Sequence, residues 1–181
     1  MQPETLDLNR LRLVPPQSCF AADVHDYGSD PEFCRYIDAE PLQSQEGALA
    51  FLEMLSSDNA AGRRMYWVAV EKAQNRAIGT LGLLFPHARR HRVADFGYGF
   101  SRQWWGSGAF QEAGRAIVGF AFQRLGLARL QAITKSENVA AIRGVEKLGF
   151  RREATLRSFY QAPDRRIDAV LLAMLAEPVG T

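Results

Sequence analysis

Gln103-Trp104-Trp105-Gly106-Ser107-Gly108 decides the reading of this chain. The stretch lies between a strand-like run, Val93–Phe100, and a long run of helical period, 109–125. Two glycines two apart at a strand-to-helix turn let a ligand approach the backbone with no Cβ in the way. Such a turn directs amide N–H groups and the positive end of the helix dipole at one point, which suits a pyrophosphate. A tight structural connection is the other reading of Gly-x-Gly taken alone. The third glycine of a dinucleotide-binding turn is replaced here by Gln111, which disfavours a nicotinamide site. No Gly-Lys-Ser/Thr follows, so a Walker loop is excluded.

Working outward, Leu11–Val14 reads as a short strand stopped by Pro15-Pro16. Residues 18–37 read as helical with a break near 28–31. Residues 45–55 form an amphipathic pattern, with Leu49, Leu52 and Leu55 at three-residue spacing and Ser44 placed as a cap. Residues 65–70 and 78–85 are strand-like and joined by the polar turn 72–76. The helix at 109–125 ends at Gly126, where a C-terminal glycine belongs. A strand at 129–134 and a short helix at 138–148 follow, then a strand pair at 150–156 and 167–175. Antiparallel runs thus surround a central βαβ unit. The expectation is an α/β fold with a mixed, mostly antiparallel sheet and flanking helices, not a doubly wound sheet.

At 181 residues the chain is expected to form one domain over 1–181 with a full core. A formal charge of +2 gives no reason to invoke nucleic acid or membrane. Cys19 and Cys34 have neither metal spacing nor the number a disulfide scaffold needs. His25, His87 and His91 have no partners at ligand spacing, so no metal is expected. No apolar run approaches the roughly 18–20 residues of a membrane span. The polar N-terminus has no export pattern, so a cytoplasmic, soluble protein is expected.

Gln103-x-x-Gly106-x-Gly108 resembles the acyl-CoA pyrophosphate loop of the GNAT superfamily of acetyl-CoA-dependent N-acetyltransferases. The similarity continues in Glu112-Ala113, in Asn138-x-x-Ala141 and in Glu146-Lys147-Leu148-Gly149-Phe150. Leu11-Arg12-Leu13, Ser29-Asp30-Pro31-Glu32, Ile78-Gly79-Thr80-Leu81-Gly82, Asp95-Phe96-Gly97-Tyr98 and Asp168-Ala169-Val170-Leu171 agree in order. The resemblance spans roughly residues 8 to 175 and is closest to the branch of ribosomal-protein N-terminal (α-amino) acetyltransferases. It implies the GNAT fold and acetyl-CoA as co-substrate. It also implies a primary amine as acceptor, by branch a protein N-terminal α-amine. Homodimers are common in that branch, and no interface is legible here.

The resemblance also assigns roles. Gly106, Ser107, Gly108 and the helix start at Ala109 would hold the pyrophosphate, with Gln103 and Trp105 in the same segment. Trp104 and Trp105 also read as packing beneath the turn. The strand residues Phe96, Tyr98 and Phe100 would meet the pantetheine arm through main-chain groups. Alternation sets Tyr98 with Phe96 on one face and Asp95 with Gly97 on the other, so Tyr98 reads as packing. Asp95 matches the carboxylate near the acceptor and is the candidate base, or else an edge charge. Asn138 would cap its helix, bond pantetheine, or do both. Arg102, Lys135, Arg143 and Lys147 are candidates for the 3′-phosphate of coenzyme A. Two departures matter. The superfamily's acid tyrosine, seven residues after the asparagine, is Val145, and the branch's serine, three after it, is Ala141. Either the thiolate leaves unaided, for which a thiol pKa near 8.5 suffices, or Tyr160, expected in a loop between the last strands, supplies a proton, or the protein is a poor catalyst.

Other readings remain open at this level. A small-molecule acetylase for an aminoglycoside, polyamine or amino acid would need an acidic acceptor pocket, for which Asp23, Asp26, Asp30 and Glu32 are available. Ala141 and Val145 also suit a non-catalytic acyl-CoA-binding module. The basic loop His87-Ala88-Arg89-Arg90-His91-Arg92 is a solvated hairpin tip or a contact for an acidic partner such as a ribosome. Nucleic-acid binding through it is disfavoured by the low net charge.

Overall fold

The alternating segments become strands and the 3.6-period segments helices in a computed structural model that describes residues 2–37, 39–87 and 89–176. The chain divides into two compact units, Met1–Leu84 with Gly97–Ala116, and Phe85–Phe96 with Ile117–Thr181. Among the described residues, eight strands hydrogen-bond in the order β1-β2-β3-β4-β5-β6-β8-β7. β5, Val93–Phe100, contributes residues to both units.

In the first unit, β1 (Leu6–Asp7), β2 (Leu11–Val14), β3 (Arg64–Glu71) and β4 (Arg76–Leu84) form antiparallel pairs. Helices α1 (Ala21–Gly28), α2 (Pro31–Cys34) and α3 (Gln45–Ala60) supply Val24, Phe33, Ala48 and Leu52 to a core shared with Val68 and Val70 of β3. The break at 28–31 is the α1–α2 junction, where Asp30 accepts from Glu32 N at 2.9 Å and Pro31 opens α2. Ser44 caps α3 by accepting from Gly47 N at 3.3 Å. α3 runs five residues past the expected 55. Its end is held by polar contacts, with Asp58 paired to Arg63 and Arg64 and the Asn59 amide bonded to the Tyr66 main chain.

In the second unit, β6 (Arg129–Lys135) pairs in parallel with the start of β5 and antiparallel with β8 (Arg166–Leu175). β7 (Arg151–Gln161) pairs antiparallel with β8. Helix α5 (Val139–Glu146) buries Ile142 and Val145. Helix α4 (Ala109–Gly119) begins in the first unit. The expected helix to 125 changes winding at its end: Phe120–Arg124 is a π turn, with Leu125 N bonded to Phe120 O at 3.1 Å. Gly126 then follows at φ +61°. β7 exceeds the expected 150–156 by five residues, with a bulge between Leu156 and Tyr160 and Ser158 at φ +53°.

Candidate active site

The β5–α4 connection lies within the first unit and is built almost wholly from internal hydrogen bonds. Residues Arg102–Trp104 form one 3-10 turn, in which Trp104 N donates to Ser101 O at 2.9 Å and Trp105 N to Arg102 O at 3.0 Å. The Trp105 indole N–H donates to Phe100 O at 2.7 Å, which pins the ring although the residue is 45% exposed. Ser107 N and Oγ both donate to Trp104 O, and Oγ accepts from Ala109 N at 3.2 Å, at the head of α4. Gly106 and Gly108 have φ of +74° and +84°, a region that L side chains rarely adopt. Among the described residues, their two amides donate to no protein acceptor. A Cβ built on Gly106 would meet nothing within 4 Å. Two uncommitted N–H donors, open space at Gly106 and the start of an 11-residue helix fit a pyrophosphate.

The turn is tied to β2 by a pair that the sequence did not disclose. Glu112, in the first turn of α4, accepts from Arg10 N at 2.7 Å and Leu11 N at 3.3 Å through Oε1, and from Arg10 Nε at 2.9 Å through Oε2. Arg10 Nη1 also donates to Ser107 O at 3.1 Å. Partial burial pushes the Glu112 carboxyl up, but the Arg10 and Leu11 donors outweigh it and leave its pKa below the usual value.

On β5, Tyr98 packs its ring on Phe110 at 4.4 Å and Phe100 meets Phe110 edge-on at 6.0 Å, both in the first unit. Phe96, in the second unit, is buried and stacks on Phe150 at 6.0 Å. The parallel ladder joins Val93 to Arg129, Ala94 to Leu130 and Asp95 to Gln131, and ends there. Asp95 therefore stands at the last rung. It is half-buried, and Gln131 Nε2 donates to its Oδ1 at 2.7 Å.

Asn138 caps α5, its Oδ1 accepting from Ala141 N at 3.0 Å. The Nδ2 donors take no part in the cap and are the groups offered to a pantetheine carbonyl. Asn138→Ala is expected to cost about 1 kcal/mol in urea unfolding through loss of the cap. Asn138→Asp keeps the capping oxygen and is expected to hold stability while weakening acetyl-CoA binding about tenfold. Unchanged affinity in a titration would leave Asn138 a cap and nothing more. Arg143 is exposed on α5, and Val145 is fully buried.

Tyr160 lies within β7, paired to Ile167, and not in a loop. Its ring carries Lys135 Nζ at 5.4 Å from the centroid. Through the ladders, Asp95 is level with Ala173 of β8, six residues along from Ile167, and three strands from Tyr160. At strand spacings that is roughly 20 Å or more. The two candidate catalytic side chains are thus not brought together.

Asp23, Asp26 and Asp30 converge on a cavity of about 470 Å³ in the first unit, shared with Arg76, Arg102 and Ser107. Glu32 does not line it and pairs with Arg35 at 3.6 Å. The carboxylates are already engaged: Arg76 holds Asp23 and Asp26 at 2.8 Å, and Arg102 holds Asp30 at 3.1 Å. In the basic loop, Ala88 lies outside the described residues. Arg92 is structural, its carbonyl accepting from Ala128 N and Arg129 N and its guanidinium donating to Gly126 O. Among the described residues, no group of three metal-ligating side chains occurs, and no helix is long and apolar enough to cross a membrane.

A mixed sheet carrying a glycine turn with uncommitted amides at the head of a helix defines an acyl-CoA-type transferase scaffold. Residues 10–151 match the acetyltransferase (GNAT) domain family, and the chain belongs to that family of N-acetyltransferases, which use acetyl-CoA as co-substrate. The chain is 29% identical over 172 residues to the uncharacterized N-acetyltransferase p20 of Bacillus licheniformis, covering 95% of this chain and 96% of that one. Its fold is similar to the Ribosomal-protein-S5-alanine acetyltransferase of Vibrio fischeri, with a TM-score of 0.82 at 18% identity over 98% of this chain and 100% of that one. It is also similar to the spermidine N-acetyltransferase chimera from Vibrio cholerae and hSSAT, with a TM-score of 0.78 at 20% identity over 92% and 96% of the two chains.

Proposed function

We propose that this chain transfers the acetyl group of acetyl-CoA to a protein N-terminal α-amine in the cytoplasm. The observation that carries the co-substrate is the pair of uncommitted glycine amides at Gly106 and Gly108. In this reading, the main chain of residues 96–100 receives the pantetheine arm, and Asp95 takes the proton of the attacking ammonium. The neutral amine attacks the thioester carbonyl, the C–N bond forms, the nitrogen gives up its second proton to water, and the C–S bond breaks. The thiolate leaves without a protein acid and takes its proton from water, which a thiol pKa near 8.5 permits.

The α-amine is favoured over a lysine because its pKa near 8 leaves it partly neutral at pH 7. The fold shared with a ribosomal-protein acetyltransferase supports the same choice, while the fold shared with a spermidine acetyltransferase supports a polyamine. Against the polyamine, the three aspartates of the cavity already hold arginines. That cavity also adjoins Ser107, in the turn that this reading gives to the pyrophosphate.

The test is thermal unfolding with acetyl-CoA or NAD, followed by thiol release with N-terminal peptides and with spermidine. Stabilisation by acetyl-CoA alone and turnover of peptides alone are expected. Turnover of spermidine alone would overturn the acceptor, and no stabilisation at millimolar acetyl-CoA would overturn the co-substrate.

A further inference from the structure

We propose that Arg10 is a positioning residue for the acetyl-CoA turn: braced on Glu112, it grips the Ser107 carbonyl and thereby aims the Gly108 N–H at the ligand. This rests on residues 106–108 being the pyrophosphate site. The argument is one of peptide geometry. The Ser107 C=O and the Gly108 N–H belong to one planar trans peptide, in which they point in opposite directions. A glycine at φ +84° has little intrinsic preference to hold that plane. Arg10 Nη1 holds it by donating to Ser107 O at 3.1 Å. Arg10 Nη2 stands 3.3 Å from where a Cβ on Gly108 would be, so the guanidinium packs against the turn.

The second half of the device is electrostatic. A carboxylate in the first turn of a helix competes with a phosphate for the same positive pole. Glu112 is such a carboxylate, yet both its oxygens face Arg10 and β2. Its charge is compensated where it sits, and it serves as the anchor for the fork that holds Ser107. Lysine at position 10 would keep the charge and lose the fork.

The test compares Arg10→Met and Arg10→Lys with the wild-type chain by acetyl-CoA titration, steady-state kinetics and thermal unfolding. Arg10→Met is expected to raise the Kd and KM for acetyl-CoA about ten- to a hundredfold. The KM of the amine and kcat at saturating acetyl-CoA should stay within about twofold. Arg10→Lys should recover part of the affinity. A purely structural role would lower the melting temperature and leave this split absent. A folded Arg10→Met with wild-type affinity overturns the proposal. If Arg10→Met does not fold, Arg10→Lys decides alone, since wild-type affinity there overturns the fork. Gly106→Val measured beside them separates the two levels. If it too binds normally, the reading of the turn has failed. If it alone loses binding, only the role of Arg10 has.

Discussion

Gly106→Val is expected to leave the chain folded and to abolish acetyl-CoA binding. The fold survives because the new Cβ would meet no atom within 4 Å. What remains is the backbone cost of an L residue held at φ +74°, about 1–2 kcal/mol and somewhat more for a β-branched side chain. That is small beside the several kcal/mol of a typical domain. The open space is what the valine fills. In this reading the pyrophosphate occupies that space, and the valine side chain competes with it. The wild-type chain at a hundred times its Kd of acetyl-CoA should gain about 2.7 kcal/mol of stability, and the variant none. Thermal unfolding with and without ligand reads both quantities at once. A variant that melts a few degrees lower and shifts as far with acetyl-CoA as wild type would remove the turn from the site.

The turn was legible because it is local. Its glycines, the alternation of Val93–Phe100 and the caps at Ser44 and Asn138 depend on neighbours within a few residues. The mixed sheet followed from the same local patterns. What escaped the sequence has two physical causes. Arg10 meets Glu112 across 102 residues, and no periodicity encodes a partner that far away. Leu11-Arg12-Leu13 stands out as a motif, but the side chain that meets Glu112 belongs to the residue before it. The other cause is exposure. Nearly every residue of β7 from Arg151 to Gln161 is exposed on both faces, so no apolar alternation marks its second half, and Tyr160 reads as loop. The end of α3 is hidden similarly, since Asp58 and Asn59 hold it through polar contacts that a hydrophobic pattern does not show.

Asp95→Asn is expected to lower kcat by about a hundred- to ten-thousandfold, the usual span for loss of a general base. The substitution is nearly isosteric, and the asparagine carbonyl still accepts from Gln131 Nε2, which now bonds Asp95 Oδ1 at 2.7 Å. The last rung of the β5–β6 ladder is therefore kept, and the turn at 106–108 is untouched. The KM for acetyl-CoA should not move, which separates a chemical loss from a binding loss. The pH dependence is the sharper discriminator. At pH 7 most of an α-amine with pKa near 8 arrives protonated and needs a proton acceptor. Above pH 8 it arrives neutral. The ratio of wild-type to variant rate should then narrow between pH 7 and 9 if Asp95 serves to deprotonate the acceptor. A large ratio that stays flat over that range would mean that Asp95 acts on something other than the ammonium proton. A ratio near one throughout would return Asp95 to the role of a strand-edge charge held by Gln131.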